Sequence, residues 1–223
     1  MTTIHHRFKT IIFDLDGTLI DSLNDIAKAA NAVLAELGFP LHPKNSYLNF
    51  VGDGLLTLAA RMVPEETSGT QVKAVAARFR TVYNDCWSDN SRPYPGILTM
   101  LEALNQLPVN LAVLSNKPDD FTQLFVNRFF PAKMFGQVMG NRPGVPKKPD
   151  PTAALAIANF FGCENADCLM VGDSGVDMKT GKNGGMSSLG VSWGFRSRQE
   201  LIESGADLLI DHPSELISHV IDH

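Results

Sequence analysis

Phe13-Asp14-Leu15-Asp16-Gly17-Thr18-Leu19 closes a short apolar run that begins at Thr10. Two carboxylates two residues apart lie where a candidate strand ends and the backbone turns, and Gly17 permits the dihedrals of that turn. The two acids repel each other with no lysine between them, so a divalent cation is a natural partner, and hard oxygen donors suit Mg²⁺. An Asp-Gly turn followed by a solvated acid would satisfy the same letters.

Outward from this stretch, short apolar runs alternate with helical periods. Candidate strands are Thr10–Asp14, Val109–Leu114, Phe135–Met139, Cys168–Val171, Ser188–Val191 and Asp207–Ile210. Continuous apolar runs suit buried parallel strands. Ile97, Leu101 and Leu104 share one helix face, as do Phe121, Leu124 and Phe125. Asp150-Pro151 before Thr152–Phe161 suggests an N-cap with proline at the first helical position, and Gly162 a stop. The pattern predicts an α/β fold, a doubly wound parallel sheet with ligands beyond the carboxyl ends of its strands.

Between Ile20 and Pro93 the rhythm changes. Leu23, Ile26, Ala30, Val33 and Leu37 follow a helical period that ends at Gly38-Phe39-Pro40. Leu55, Leu58, Ala59 and Met62 follow a second, and Val72, Val75, Phe79 and Val82 a third. So long a helical insertion is no ordinary crossover. We expect residues 21–92 to form a small helical cap domain, with 1–20 and 93–223 forming the core.

Three further motifs stand at strand ends or helix starts. Leu169-Met170-Val171-Gly172-Asp173-Ser174-Gly175-Val176-Asp177 delivers Asp173 to a strand end and Asp177 to the next turn. Val113-Leu114-Ser115-Asn116-Lys117 ends a strand in a hydroxyl before a helix near Pro118, a possible phosphate cradle. In Lys147-Lys148-Pro149-Asp150-Pro151 the prolines on both sides of Asp150 restrict the backbone and hold Lys148 in a fixed direction, where it can offset the charge of an acid and an anionic substrate. Taken singly, each has a plain reading: a cap, a capping serine, a solvated basic turn.

Together, and in this order, they make the chain resemble the haloacid dehalogenase superfamily. Asp14-Leu15-Asp16-Gly17-Thr18 matches its DxDGT motif, and Ser115, Lys148 and Gly172-Asp173-Ser174 with Asp177 match the other three. The likeness covers nearly the whole chain, and the insertion falls where the family places a helical cap. Asp14–Ser22, Tyr94-Pro95-Gly96 and Ser115–Pro118 are similar to phosphoglycolate phosphatases in particular. The resemblance implies that Asp14 attacks phosphorus and that Asp16 serves as general acid, then base. It implies Mg²⁺ held by the Asp14 carboxylate, the Asp16 carbonyl and Asp173, with Asp177 supporting from behind. Ser115 and the Asn116 N–H would hold phosphoryl oxygens, with Lys148 beside them. An acid at Asp16 favours phosphate-ester hydrolysis over dehalogenation, since a halide needs no proton. The expected product is phosphate released from a small phosphomonoester, with 2-phosphoglycolate foremost. A phosphosugar mutase, a pyrophosphatase and a phospho-accepting signalling module remain rivals. Met178-Lys179-Thr180-Gly181-Lys182-Asn183-Gly184-Gly185 carries glycines where relatives place alanines, which puts the length of that helix in question.

Bulk properties set the surroundings. The 223 residues are 44% hydrophobic with a formal net charge of −5. That supports a sizeable core and disfavours a nucleic-acid surface. Cys86, Cys163 and Cys168 form no CxxC pair, which fits a reducing cytoplasm. No apolar run is long enough to span a membrane. The expected partner is a small phosphorylated metabolite, and the expected assembly a monomer or homodimer. A nucleotide-triphosphate loop is disfavoured: the Gly175 to Gly181 spacing is one residue too long, and Asn183 replaces the needed hydroxyl.

Overall fold

A computed structural model describes residues 7–221. Residues 1–6 of the expected core segment, with His5 and His6, and residues 222–223 lie outside the described residues.

Six strands form one parallel sheet: β1 (Thr10–Phe13), β4 (Asn110–Pro118), β5 (Gln137–Asn141), β6 (Cys168–Gly172), β7 (Ser187–Val191) and β8 (Leu208–Ile210). Their order is β5-β4-β1-β6-β7-β8. The fold is α/β, with β1 central and helices on both faces. Alternation along β1 shows why. Ile11 and Phe13 enter one buried cluster, which includes Leu15, Leu34 and Phe125. Ile12 enters another, with Ala112, Ile157 and Met170. A strand buried on both faces must be apolar throughout, and each such side chain contributes about 1.5–3 kcal/mol.

The insertion after β1 is helical. A two-residue strand β2 (Ile20–Asp21) leads into α1 (Leu23–Glu36), α2 (Tyr47–Phe50), α3 (Leu55–Met62) and α4 (Gly69–Asn84). The chain returns through β3 (Arg92–Pro93), which pairs antiparallel with β2. The short helix α2 and this pair escape the periodicity argument because two to four residues are too few to show a period. Ser68 and Gln71 form a capping box at the start of α4. Gly38, at φ +73°, ends α1.

Beyond the insertion come α5 (Ile97–Leu104), α6 (Asp119–Phe129), α7 (Thr152–Phe160), α8 (Gly175–Asn183), α9 (Arg198–Glu203) and α10 (Leu216–Val220). Two local expectations are corrected. Pro151 occupies the cap position of α7 rather than its first turn, while the Asp150 carboxylate still accepts from the Thr152 N–H at 2.9 Å. The strand holding Ser115 does not end there: β4 runs on to Pro118, with its register broken after Leu114. The glycines of α8 have a packing reason. A methyl group at Gly181 would stand 2.8 Å from Ser188 Oγ and 3.2 Å from Met170 Cβ, so glycine lets the helix lie close on the sheet.

Candidate active site

Register places the site. Phe13 pairs with Val113 of β4 on one side and Val171 of β6 on the other. Asp14, Ser115 and Asp173 therefore emerge side by side at the carboxyl edge, and the Asp14 N–H donates to the Val171 carbonyl at 2.9 Å.

Asp14, Asp173 and Asp177 each offer an oxygen, all within 4.8 Å of one another. Lys148 is the cation among them: its Nζ lies 2.8 Å from Asp14 Oδ1 and 2.6 Å from Asp177 Oδ1, and it is 3% exposed. Lys147 faces elsewhere, donating to the Asp53 carbonyl and, at 3.1 Å, to Thr57 Oγ1. Asp177 is held by a capping box, its Oδ2 accepting from the Ser174 hydroxyl at 2.7 Å and the Ser174 N–H at 3.2 Å. Asp173 accepts from the Phe195 N–H at 2.7 Å and the Thr18 hydroxyl at 3.3 Å. The backbone wraps it closely enough that a side chain at Gly17 or Gly194 would strike its carboxylate.

Three acids share one lysine, and the electrostatics record the imbalance. Burial pushes the Asp14 carboxyl up to about 6; Lys148 opposes this and Asp177 adds to it. Burial, then Asp14 and Asp177, raise the Asp173 carboxyl well above the usual range. Burial works against the Lys148 ammonium, yet Asp14 and Asp177 outweigh it and hold the proton firmly. Excess buried negative charge on hard oxygens at two strand ends fits a divalent cation.

Asp16 belongs to a different set. Its carboxylate accepts from the Ser22 hydroxyl at 2.5 Å and from Lys117 Nζ at 3.1 Å to both oxygens. It shares with Asp14, Ser115 and Asn116 one cleft under the insertion, whose far wall includes Ile26, Leu55, Leu58 and Phe79. Ser115 Oγ accepts from the Lys117 N–H at 3.2 Å. The Asn116 side chain donates to the carbonyls of Gly52 and Lys148, each at 3.0 Å, tying the insertion to the lysine loop. Arg61 pairs with Asp53 at 2.6 Å and bonds the Asn49 and Phe50 carbonyls, so it braces the Gly52-Asp53-Gly54 turn.

Sequence reasoning assigned no role to Lys117 or to the segment after β7. There Trp193 Nε1 donates to the Thr18 carbonyl at 3.0 Å, and Arg196 Nη2 to the Val51 carbonyl at 2.8 Å. Arg196 Nη1 has no partner, alone among buried side-chain nitrogens and oxygens of the described residues. The strand-end rule that singled out Asp14 and Asp173 applies equally to residues following Val191.

A parallel sheet whose central strands end in clustered buried acids beside a lysine is a hydrolase architecture of a definite class. A family model for haloacid dehalogenase-like hydrolases matches residues 11–191, and the chain belongs to that family. The phosphoglycolate phosphatase of Haemophilus influenzae (strain ATCC 51907 / DSM 11121 / KW20 / Rd) is 33% identical over 219 residues, 95% of this chain and 98% of that one. The phosphoglycolate phosphatase of Vibrio parahaemolyticus serotype O3:K6 is 32% identical over 95% and 96%. A crystal structure from Lactobacillus delbrueckii subsp. bulgaricus superposes with TM-score 0.90 at 30% identity, covering 96% of this chain and 99% of that one. No helix of the described residues is long and apolar enough to cross a membrane.

Proposed function

We propose that this chain is a Mg²⁺-dependent phosphatase of small phosphomonoesters, with 2-phosphoglycolate its substrate, hydrolysed to glycolate and phosphate. One observation carries the reading: Asp14 stands at the end of the central strand, buried, 2.8 Å from the Lys148 ammonium and in reach of Asp173. The names of the relatives support the substrate.

In this mechanism Asp14 attacks phosphorus, and its new O–P bond forms as the ester O–P bond breaks. Asp16 gives its proton to the departing ester oxygen. It then takes a proton from the water that attacks the aspartyl-phosphate, and Asp14 is released. Lys148 offsets the charge gathered on the phosphoryl oxygens, while Ser115 and the Asn116 N–H bind them. Asp177 holds Lys148 in place. The Asp14 carboxylate, the Asp16 carbonyl and the Asp173 carboxylate would hold Mg²⁺, which supplies charge shielding when bound.

Residues 21–92 act as the cap and 1–20 with 93–223 as the core. The cap wall is mostly apolar, with Ile26, Leu55, Leu58 and Phe79 against only Arg80 and Tyr83 as polar side chains, which favours a small leaving group over a phosphosugar. Three free cysteines suit a reducing cytoplasm.

Phosphate release measured across small phosphorylated metabolites, with 2-phosphoglycolate, glucose 1-phosphate and pyrophosphate included, tests this. Many turnovers are expected, fastest on 2-phosphoglycolate. A single phosphorylation of Asp14 without turnover would defeat it.

A further inference from the structure

We propose that Lys117 is the specificity-determining residue of this site, binding a carboxylate attached two bonds from the ester oxygen. This rests on the substrate reading above and deepens it by naming the group that distinguishes phosphate esters of 2-hydroxy acids from other small esters.

Behind the cleft, Lys148 is engaged by Asp14 and Asp177. Arg80 lines the cleft, but its side chain is 46% exposed and pairs outward with Asp120. Lys117 also has partners, Asp16 and Tyr83, but all three line the cleft itself. Its side chain is 5% exposed, and its Nζ lies 4.2 Å from the Phe125 ring centre and 4.9 Å from that of Tyr83. The Tyr83 hydroxyl accepts from Nζ at 3.0 Å, and the Asp16 carboxylate accepts at 3.1 Å. Aromatic faces, a phenol and one acid hold the ammonium where solvent does not reach it, so a second anion entering the cleft meets it undiluted by water.

Its distance from the reacting atoms sets the length it selects. A leaving oxygen that takes a proton from Asp16 lies about 3 Å from that carboxylate. Nζ is 3.1 Å from both oxygens of the same carboxylate. A carboxylate carbon two bonds beyond the ester oxygen therefore falls within reach of Nζ while Asp16 still touches the oxygen. One more methylene carries the charge past Nζ into a cleft otherwise lined largely by apolar side chains such as Leu55, Leu58 and Phe79.

The test is steady-state kinetics of the full chain with Mg²⁺ on 2-phosphoglycolate, ethyl phosphate and 3-phosphooxypropionate. K117M removes the charge and can slow every substrate through Asp16, so the readout is the ratio of kcat/KM for 2-phosphoglycolate to that for ethyl phosphate. That ratio is expected to fall at least about 30-fold in K117M and to recover in large part in K117R. An unchanged ratio, with both substrates slowed alike, overturns the proposal and leaves Lys117 as a support of Asp16 alone. Should K117M not fold, the wild-type series decides: equal rates on the two- and three-carbon acids overturn it, a strong preference for the shorter supports it. A wild-type enzyme that turns over ethyl phosphate as well as 2-phosphoglycolate would instead sink the substrate reading itself.

Discussion

Asp25 in the insertion and Asp173 in the core are both carboxylates shut away from solvent, at 0% and 2% exposure, yet burial has opposite outcomes for them. Asp25 accepts from the Asn90 N–H and amide and from the Ser91 N–H and hydroxyl, at 2.7 to 2.9 Å. Burial alone would raise its carboxyl, but these donors hold it below the ordinary value. Asp173 has two donors and faces two other acids, and its carboxyl is driven up. A buried acid with a full set of donors is a fastening; one that faces its own kind is a place for a cation.

The comparison can be broken in four ways, the largest effect first. Asp14→Asn should lower kcat at least about 10³-fold in phosphate release, with the circular dichroism spectrum unchanged, because the nucleophile is lost and the fold is not. Full activity in this variant would refute the assignment. EDTA should reduce turnover on the order of 10²-fold, with recovery on adding Mg²⁺; an indifferent enzyme would show that the core acids need no cation.

Asp25→Asn should cost about 2–4 kcal/mol in urea unfolding, since an amide turns one donor toward donors. The sign with pH follows from the lowered carboxyl: the Asp25 contribution is complete above about pH 4, the unfolded value, and fades as pH falls through the lower folded value. The gap between wild type and variant should therefore close in acid. Asp173→Asn should do the reverse in metal-free protein, stabilising it by on the order of 1 kcal/mol at neutral pH by relieving repulsion, and should become destabilising in saturating Mg²⁺. The same sign for both variants in metal-free protein would remove the distinction.

How much of this was readable beforehand depends on the reach of each interaction. Inner strands such as Thr10–Phe13 and Cys168–Gly172 were legible because burial on both faces demands unbroken apolar runs, whereas the half-buried β5 starts at Gln137 rather than the expected Phe135. Asp14 and Asp173 could be singled out because strand register is a local property and parallel strands bring their ends together. Asp25 could not: its donors are Asn90 and Ser91, far along the chain, and an acid in the first turn of α1 looks like an ordinary helix start. Lys117, in strand β4, escaped for a similar reason, since its meaning comes from Tyr83 on α4 and Phe125 on α6. Arg196 needed the insertion folded over the core before its bond to Val51 could exist.

The pairing of Ile20–Asp21 with Arg92–Pro93 means that the chain departs and re-enters through neighbouring doorways, about 5 Å apart. To the six-stranded sheet the whole helical excursion is equivalent to the tip of a hairpin. Such an appendage can be lengthened, trimmed or exchanged without re-threading a single core strand. Asp25, clamped to Asn90 and Ser91, makes the two doorposts one piece. Exchanging the appendage would replace the far wall of the cleft while leaving Asp14 and Asp173 at their strand ends.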